Sequence, residues 1–382
     1  MTTLRAPFAA AYAQALARPV VHKGELLSVQ RLRGLAVILV LIVHVEDVAR
    51  HLAGWAGVQS AYTLRLGYSA ADLFFVISGF IMAYITFARP FDARSWAISR
   101  FIRIYPMYVL FSGLVAALWL YDPRMTMGTG EQTWSRVLAS LAGLPQADLP
   151  LLFVGWTVEH EIVFYSLVFF TALWLGRERL VPVMLALSAL AIARWVLQLT
   201  TGIEVWDWHL ASPYLIQFTL GVLVYRYWPS LVRLGWIWPL AFCAVFLVLG
   251  MLFAQSGTVL DVPMSRVVLF GLAYAGLLLA VLNHERQARD AGYEAQRRDA
   301  MVWMGDASYS IYLSHPFVLG AFGKLFPLVG TSALSQWGAI AAAALTTLAV
   351  GLLTHVLLER QVMELGRYLS HRARAKREEP ST

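Results

Sequence analysis

The stretch from Ser28 to Asp47 constrains this chain most. Arg31 and Arg33 open it, an apolar run follows, and His44, Glu46 and Asp47 close it. A run this apolar predicts a membrane helix. Arg33 and His44 are eleven positions apart, about three turns plus 20°, so both side chains lie on one face. At about 1.5 Å per residue they stand roughly 16 Å apart along the axis. One helix face then carries a cation at one membrane edge and a titratable base deep in the apolar layer. Ionisable groups in such a place are candidates for function. The plainer reading makes Arg33 a topology anchor and His44 an interfacial histidine with its hydrogen bonds satisfied.

Composition supports the membrane reading. Of 382 residues 59% are hydrophobic and 14% charged, where soluble chains carry about 25% charged residues. The single cysteine, Cys243, lies in an apolar run and cannot form an internal disulfide. Residues 1–27 lack the apolar core of a cleavable signal, so the first span is expected to direct insertion. The net charge of +7 fits basic cytoplasmic loops rather than nucleic-acid binding.

Apolar stretches fall near 33–50, 68–88, 103–121, 151–175, 180–199, 211–228, 234–254, 265–283, 303–322 and 335–359. They predict an all-α integral membrane protein of about ten transmembrane helices. With the N-terminus inside, only Arg50, Arg65, Arg124, Arg136, Arg194, Arg266 and Lys324 of the 30 basic residues face outward. That bias predicts both termini in the cytoplasm. The expected division is a cytoplasmic segment 1–27, a membrane domain 28–360 and a basic cytoplasmic tail 361–382. The loop near 122–150 is expected outside, as a connector or a cover.

Four further clusters carry polar groups into apolar surroundings. Asp72, in the outer part of the second stretch, needs a partner, with His44 and Arg65 as candidates. Ser78 and Gly79 follow it, and Gly79 suits close helix packing. Arg100 and Arg103 share a helical face and suit phosphates, although positive-inside anchoring explains them equally. Trp156, Glu159, His160, Glu161 and Tyr165 form the third cluster, read as the outer end of the fourth span. The alternative there is a polar girdle with Trp156 as its aromatic anchor. Ser308, Tyr312 and His315 share a face of the ninth stretch, where hydroxyls often serve only as interhelical glue. This reading places His44, Asp72, Glu161 and His315 on the outer side and Arg33, Arg100 and Arg103 on the inner side. No metal motif, P-loop or G-x-S-x-G sequence is present in a suitable context.

These residues together resemble the acyltransferase type 3 family of membrane O-acyltransferases, in the branch that acetylates bacterial exopolysaccharides. Arg33 and His44 match its basic residue followed by ten residues and histidine. Asp72 to Phe80 is similar to its second-span signature and Arg100-x-x-Arg103 to its arginine pair. Trp156 to Glu161 with Tyr165 resembles its fourth-span motif, and Ser308 to Pro316 its late histidine motif. Ser314 stands where the family often has tryptophan, and His160 is a further departure.

The resemblance implies ten or eleven membrane helices, acetyl-coenzyme A supplied from the cytoplasm, and a polysaccharide or lipid-linked glycan acetylated outside. The site it implies has Arg33, Arg100 and Arg103 on the coenzyme phosphates, and His44 as general base or acyl carrier. Asp47, Asp72 or Glu161 would orient His44. Trp156, Tyr165, Tyr312 and His315 would contact substrate, with no metal required. The expected setting is the bacterial inner membrane, in contact with lipid and without nucleic acid; oligomeric state, a homo-oligomer included, is left open. A polytopic glycan transporter or proton-coupled flippase would use similar buried groups, but the inverted repeats common in transporters are not seen. A structural partner in polysaccharide export is the third reading.

Overall fold

The computed structural model describes residues 26–53, 66–88, 90–125, 129–203, 208–254, 263–292, 299–330 and 332–366. Among them every regular element is helical. In chain order these are α1 (Leu27–Ala53), α2 (Ala70–Phe87), α3 (Ala93–Tyr121), α4 (Trp134–Ala142), α5 (Trp156–Phe170), α6 (Leu180–Thr201), α7 (Tyr214–Leu231), α8 (Ile237–Phe253), α9 (Met264–Asp290), α10 (Ala300–Asp306), α11 (Ser308–Leu325) and α12 (Ala333–Thr354). Two π-helical turns, Thr171–Gly176 and His355–Glu359, extend α5 and α12. Each of the ten apolar stretches holds one of the longer helices; the short α4 and α10 are additions. Arg65, residues 1–25 and the tail from 367 lie outside the described residues.

Five helical runs are long and apolar enough to cross a membrane: Leu66–Phe87, Ala93–Tyr121, Phe153–Thr201, Met264–Asp290 and Ala333–Gly366. The pair Tyr214–Leu234 and Ile237–Phe253, bent by 118° at its break, makes six when taken as one span. By length and composition alone the described helices thus supply five or six spans where the sequence reading expects ten. Two physical reasons account for much of the difference. The run Phe153–Thr201 contains both α5 and α6. α1 carries Arg31, Arg33, His44, Glu46, Asp47 and Arg50, and α11 carries Ser308, Ser310, Ser314, His315 and Lys324, which lower their apolarity.

Small residues set the tightest packing. A Cβ on Gly79 of α2 would strike the Phe218 carbonyl of α7, and one on Gly221 would strike the Val76 carbonyl. The two backbones therefore meet directly, as small residues permit in membrane bundles, and the packing role expected of Gly79 is seen. α1 meets α10 in the same way, with Gly34 against the Met301 carbonyl and Gly305 against that of Gln30. Asp299 caps α10, accepting from the Val302 N–H (3.0 Å) and from Arg31 Nε of α1 (2.8 Å). The core around α2 joins α1, α7 and α9 through Leu32, Leu73, Phe80, Trp228, Phe270 and Leu278.

The connector 129–155 is more than a loop. α4 lies along α3, and Trp134 packs edge-on to Trp119. At its other end the Leu141 carbonyl accepts from the Tyr105 hydroxyl (3.1 Å). Leu151 and Leu152 are fully buried, and the 3-10 turn Phe153–Gly155 leads directly into α5. The chain therefore enters α5 from inside the core.

Candidate functional site

α1, α2, α3, α5 and α11 enclose a cavity of about 130 Å³. Arg33, Arg100 and Arg103 line it together with Ser78, Thr157, Glu161, Tyr165, Ser308, Tyr309 and Tyr312, and Phe74, Phe75, Ile77 and Ile81 supply apolar wall. Two helices, α1 and α3, thus bring the three expected arginines to one space. Arg33 donates through Nη2 to the Ser308 hydroxyl (2.9 Å) and through Nη1 to Gln30 Oε1 (3.2 Å). Arg103 pairs with Glu359 and stacks its guanidinium over the Tyr309 ring, 5.7 Å from the centroid. Arg100 has no carboxylate partner among the described residues.

Glu161 shares this cavity, which corrects its expected place beside His44 at the outer edge. α5 begins inside the core, so a residue more than a turn further along sits at the level of the arginines. The Ser78 and Tyr165 hydroxyls both donate to Glu161 Oε1, at 3.0 and 3.3 Å. Tyr165 therefore lines the same cavity. Ser78, for which close helix packing was one reading, lines the cavity too.

His44 is placed one step beyond. It is not among the residues lining the cavity. Its ring packs on His315, with centroids 4.8 Å apart, and on Phe153, at 5.7 Å. Arg33 meets Ser308 and His44 meets His315, so α1 and α11 run side by side in the same direction, and the shared face inferred from spacing is seen on both helices. The His44 Nδ1–H donates to the Val40 carbonyl (2.8 Å), which leaves the Nε2 lone pair as the basic position. His315 is fully buried; its Nδ1–H donates to the Tyr312 carbonyl (2.6 Å) and its Nε2 has no partner among the described residues. Tyr312 lines the cavity and also packs on His315, with ring centroids 5.7 Å apart. Its hydroxyl donates to the Val154 carbonyl (2.9 Å) and accepts from Thr157 (2.9 Å), and its ring faces Phe74. The cavity lining stops at Tyr312 on this side and does not include His44.

Asp72 and Trp156 stand apart from the cavity lining. Fully buried Asp72 accepts from Arg266 Nη2 (3.1 Å) and Nε (3.2 Å) and from Gln217. Arg266, rather than His44, is its partner among the described residues; Arg65 lies outside them. This pair joins α2 to α9, where a lone buried carboxylate would be strongly unfavourable. Trp156 sits in an aromatic cluster with Phe75 and Tyr214, not at an interface. Glu159 and His160 form a separate buried knot. The His160 ring stacks on His209 at 3.9 Å, and His209 Nε2 reaches Glu159 Oε2 at 3.3 Å. Among the described residues no group of three or more His, Cys, Asp or Glu is arranged to hold a metal ion.

An acyltransferase-domain family model matches residues 26–356. The chain belongs to the acyltransferase type 3 family. It is similar to the exopolysaccharide production protein ExoZ of Rhizobium meliloti (strain 1021), at 30% identity over 82% of this chain and 94% of that protein. It is also similar to the acyltransferase MdmB of Streptomyces mycarofaciens, at 25% identity over 88% of this chain and 92% of that one. No solved structure matches. The chain is therefore an acyltransferase, and its apolar helices are those of a membrane protein.

Proposed function

We propose that this acyltransferase moves an acetyl group from cytoplasmic acetyl-coenzyme A to a hydroxyl of a cell-surface or exported polysaccharide, in the inner membrane of a bacterium. The observation that carries this reading is the convergence of Arg33, Arg100 and Arg103 on one cavity, beside the helix pair that holds His44 against His315. Guanidinium groups suit the donor's phosphates, and the apolar wall suits its arm. The likeness to an exopolysaccharide production protein supports a glycan acceptor.

In this reading His44 Nε2 takes the proton of the acceptor hydroxyl. The hydroxyl oxygen forms a bond to the thioester carbonyl carbon, the carbon–sulfur bond breaks, and the thiolate leaves and recovers the proton. Glu161 acts at the level of the arginines, with Ser78 and Tyr165, rather than as the group that orients His44. In this reading Tyr312, which touches both the cavity and His315, moves aside for donor and histidine to meet. Membrane domain 28–360 with ten spans and both termini cytoplasmic completes the proposal; α1 and α11 add two crossings, and the run Phe153–Thr201 and the bent pair each count as two.

The test is transfer of labelled acetyl groups from acetyl-coenzyme A to a glycan by purified protein. His44→Ala is expected to lower the rate by about 10²- to 10⁴-fold, the usual contribution of a general base. Activity near the wild-type level in that variant would remove His44 from the chemistry. Glycan movement without thioester consumption would instead identify a flippase.

A further inference from the structure

Glu359 lies behind the cavity wall and reaches the site through Arg103. It is 1% exposed and sits at the end of the π-helical turn His355–Glu359, a feature common near functional sites. Its Oε1 takes Arg103 Nη1. Its Oε2 accepts from the Ser310 hydroxyl (2.6 Å) and from His355 Nδ1 (2.8 Å). Both oxygens are thus held, and the carboxylate cannot swing into the cavity.

We propose that Glu359 is the positioning residue for Arg103, fixing that guanidinium at the cavity wall where it meets the anionic end of the acyl donor. The inference rests on the coenzyme A reading of the cavity. Three guanidinium groups in one small space repel one another, and a counter-charge on the cavity side of them would also repel an anionic ligand. Glu161 already places one carboxylate in the lining; Glu359 supplies a further counter-charge from behind, where it steadies Arg103 without adding a second carboxylate to the cavity side. α11 serves two of the arginines from one turn: Ser308 receives Arg33, and Ser310 anchors the carboxylate that receives Arg103.

The experiment measures KM and kcat for acetyl-coenzyme A, and coenzyme A binding by calorimetry, on the full chain in detergent. The variants are Glu359→Gln, Ser310→Ala, Arg103→Gln and the double change at 103 and 359. Glu359→Gln is expected to raise the donor KM roughly tenfold, the scale of one lost charge-assisted contact, with kcat nearly unchanged. Ser310→Ala should shift KM in the same direction by less. The double variant should be no worse than Arg103→Gln alone, because both changes remove one device. The proposal is overturned if Glu359→Gln, or Ser310→Ala where the former does not fold, keeps the wild-type KM, or if the two single effects multiply. A merely structural Glu359 would lower thermal stability without moving KM. Wild-type protein that binds no coenzyme A would overturn the donor reading itself, a result distinct from wild-type binding with unchanged variants.

Discussion

At the scale of single residues the site is a division of labour among cations that look alike in the sequence. Arg33 and Arg103 are already held, by Ser308 and by Glu359. Arg100 touches Ser99 through Nε at 3.4 Å, and in the proposed reading its outer nitrogens meet the donor. Arg100→Ala should therefore raise the donor KM about tenfold or more, since a hydrogen bond to a charged group contributes about 1.5–3 kcal/mol, and leave folding intact. Calorimetric titration with coenzyme A checks this; unchanged affinity would leave Arg100 a topology anchor. Tyr312 offers a second reading at this scale. If its ring closes the way to His44, Tyr312→Ala should raise the ratio of butyryl to acetyl turnover, measured with paired thioesters. An unchanged ratio would place the barrier elsewhere. Helical spacing made Arg33, His44 and the face Ser308–Tyr312–His315 legible. Glu359 and Ser78 were not, because an acid at a helix end and a serine beside a glycine have ordinary explanations until a partner is seen.

At the scale of elements, backbone contact between helices determines how closely the cavity walls approach. α2 supplies the apolar wall and Ser78, and its contact with α7 depends on Gly79 and Gly221. Gly79→Ala places a methyl against a carbonyl that belongs to a rigid helix. A cost of about 1–3 kcal/mol is expected, as for overpacking generally. It should appear as a lowered unfolding temperature in detergent, with donor KM rising as Ser78 and Glu161 separate. An unchanged unfolding temperature would mean that the two helices yield without penalty. The connector before α5 shows the limit of reading elements from the order of spans. That order suggested an external loop near 122–150, a connector or a cover. The buried leucines at 151 and 152 and the Tyr105–Leu141 hydrogen bond instead take it inward, and that shift carries Glu161 to the arginines.

For the whole molecule, the buried polar groups fall into separate clusters. The Asp72–Arg266 pair ties α2 to α9, the Glu159–His209 contact lies beside α5, and the guanidinium cavity sits between five helices. With ten spans, a reporter fused after Thr382 is expected to read cytoplasmic, because an even number of crossings returns the chain to its starting side. A periplasmic signal would require an odd number. Fluorescence or enzyme fusions of opposite sidedness make the measurement.

The sequence alone determined the helical membrane class, the family resemblance, the arginine set, and the pairing of one face of α1 with polar residues. Those follow from hydropathy, charge bias and the 3.6-residue period, which act along the chain. Tertiary structure alone decided which acid stands by which base. Glu161 went to the arginines, Asp72 to Arg266, Glu359 to Arg103, and Tyr312 to both the cavity lining and His315. Each of those choices depends on where a helix begins in depth and which neighbour it meets. Local periodicity specifies a direction around one axis and carries no information about either.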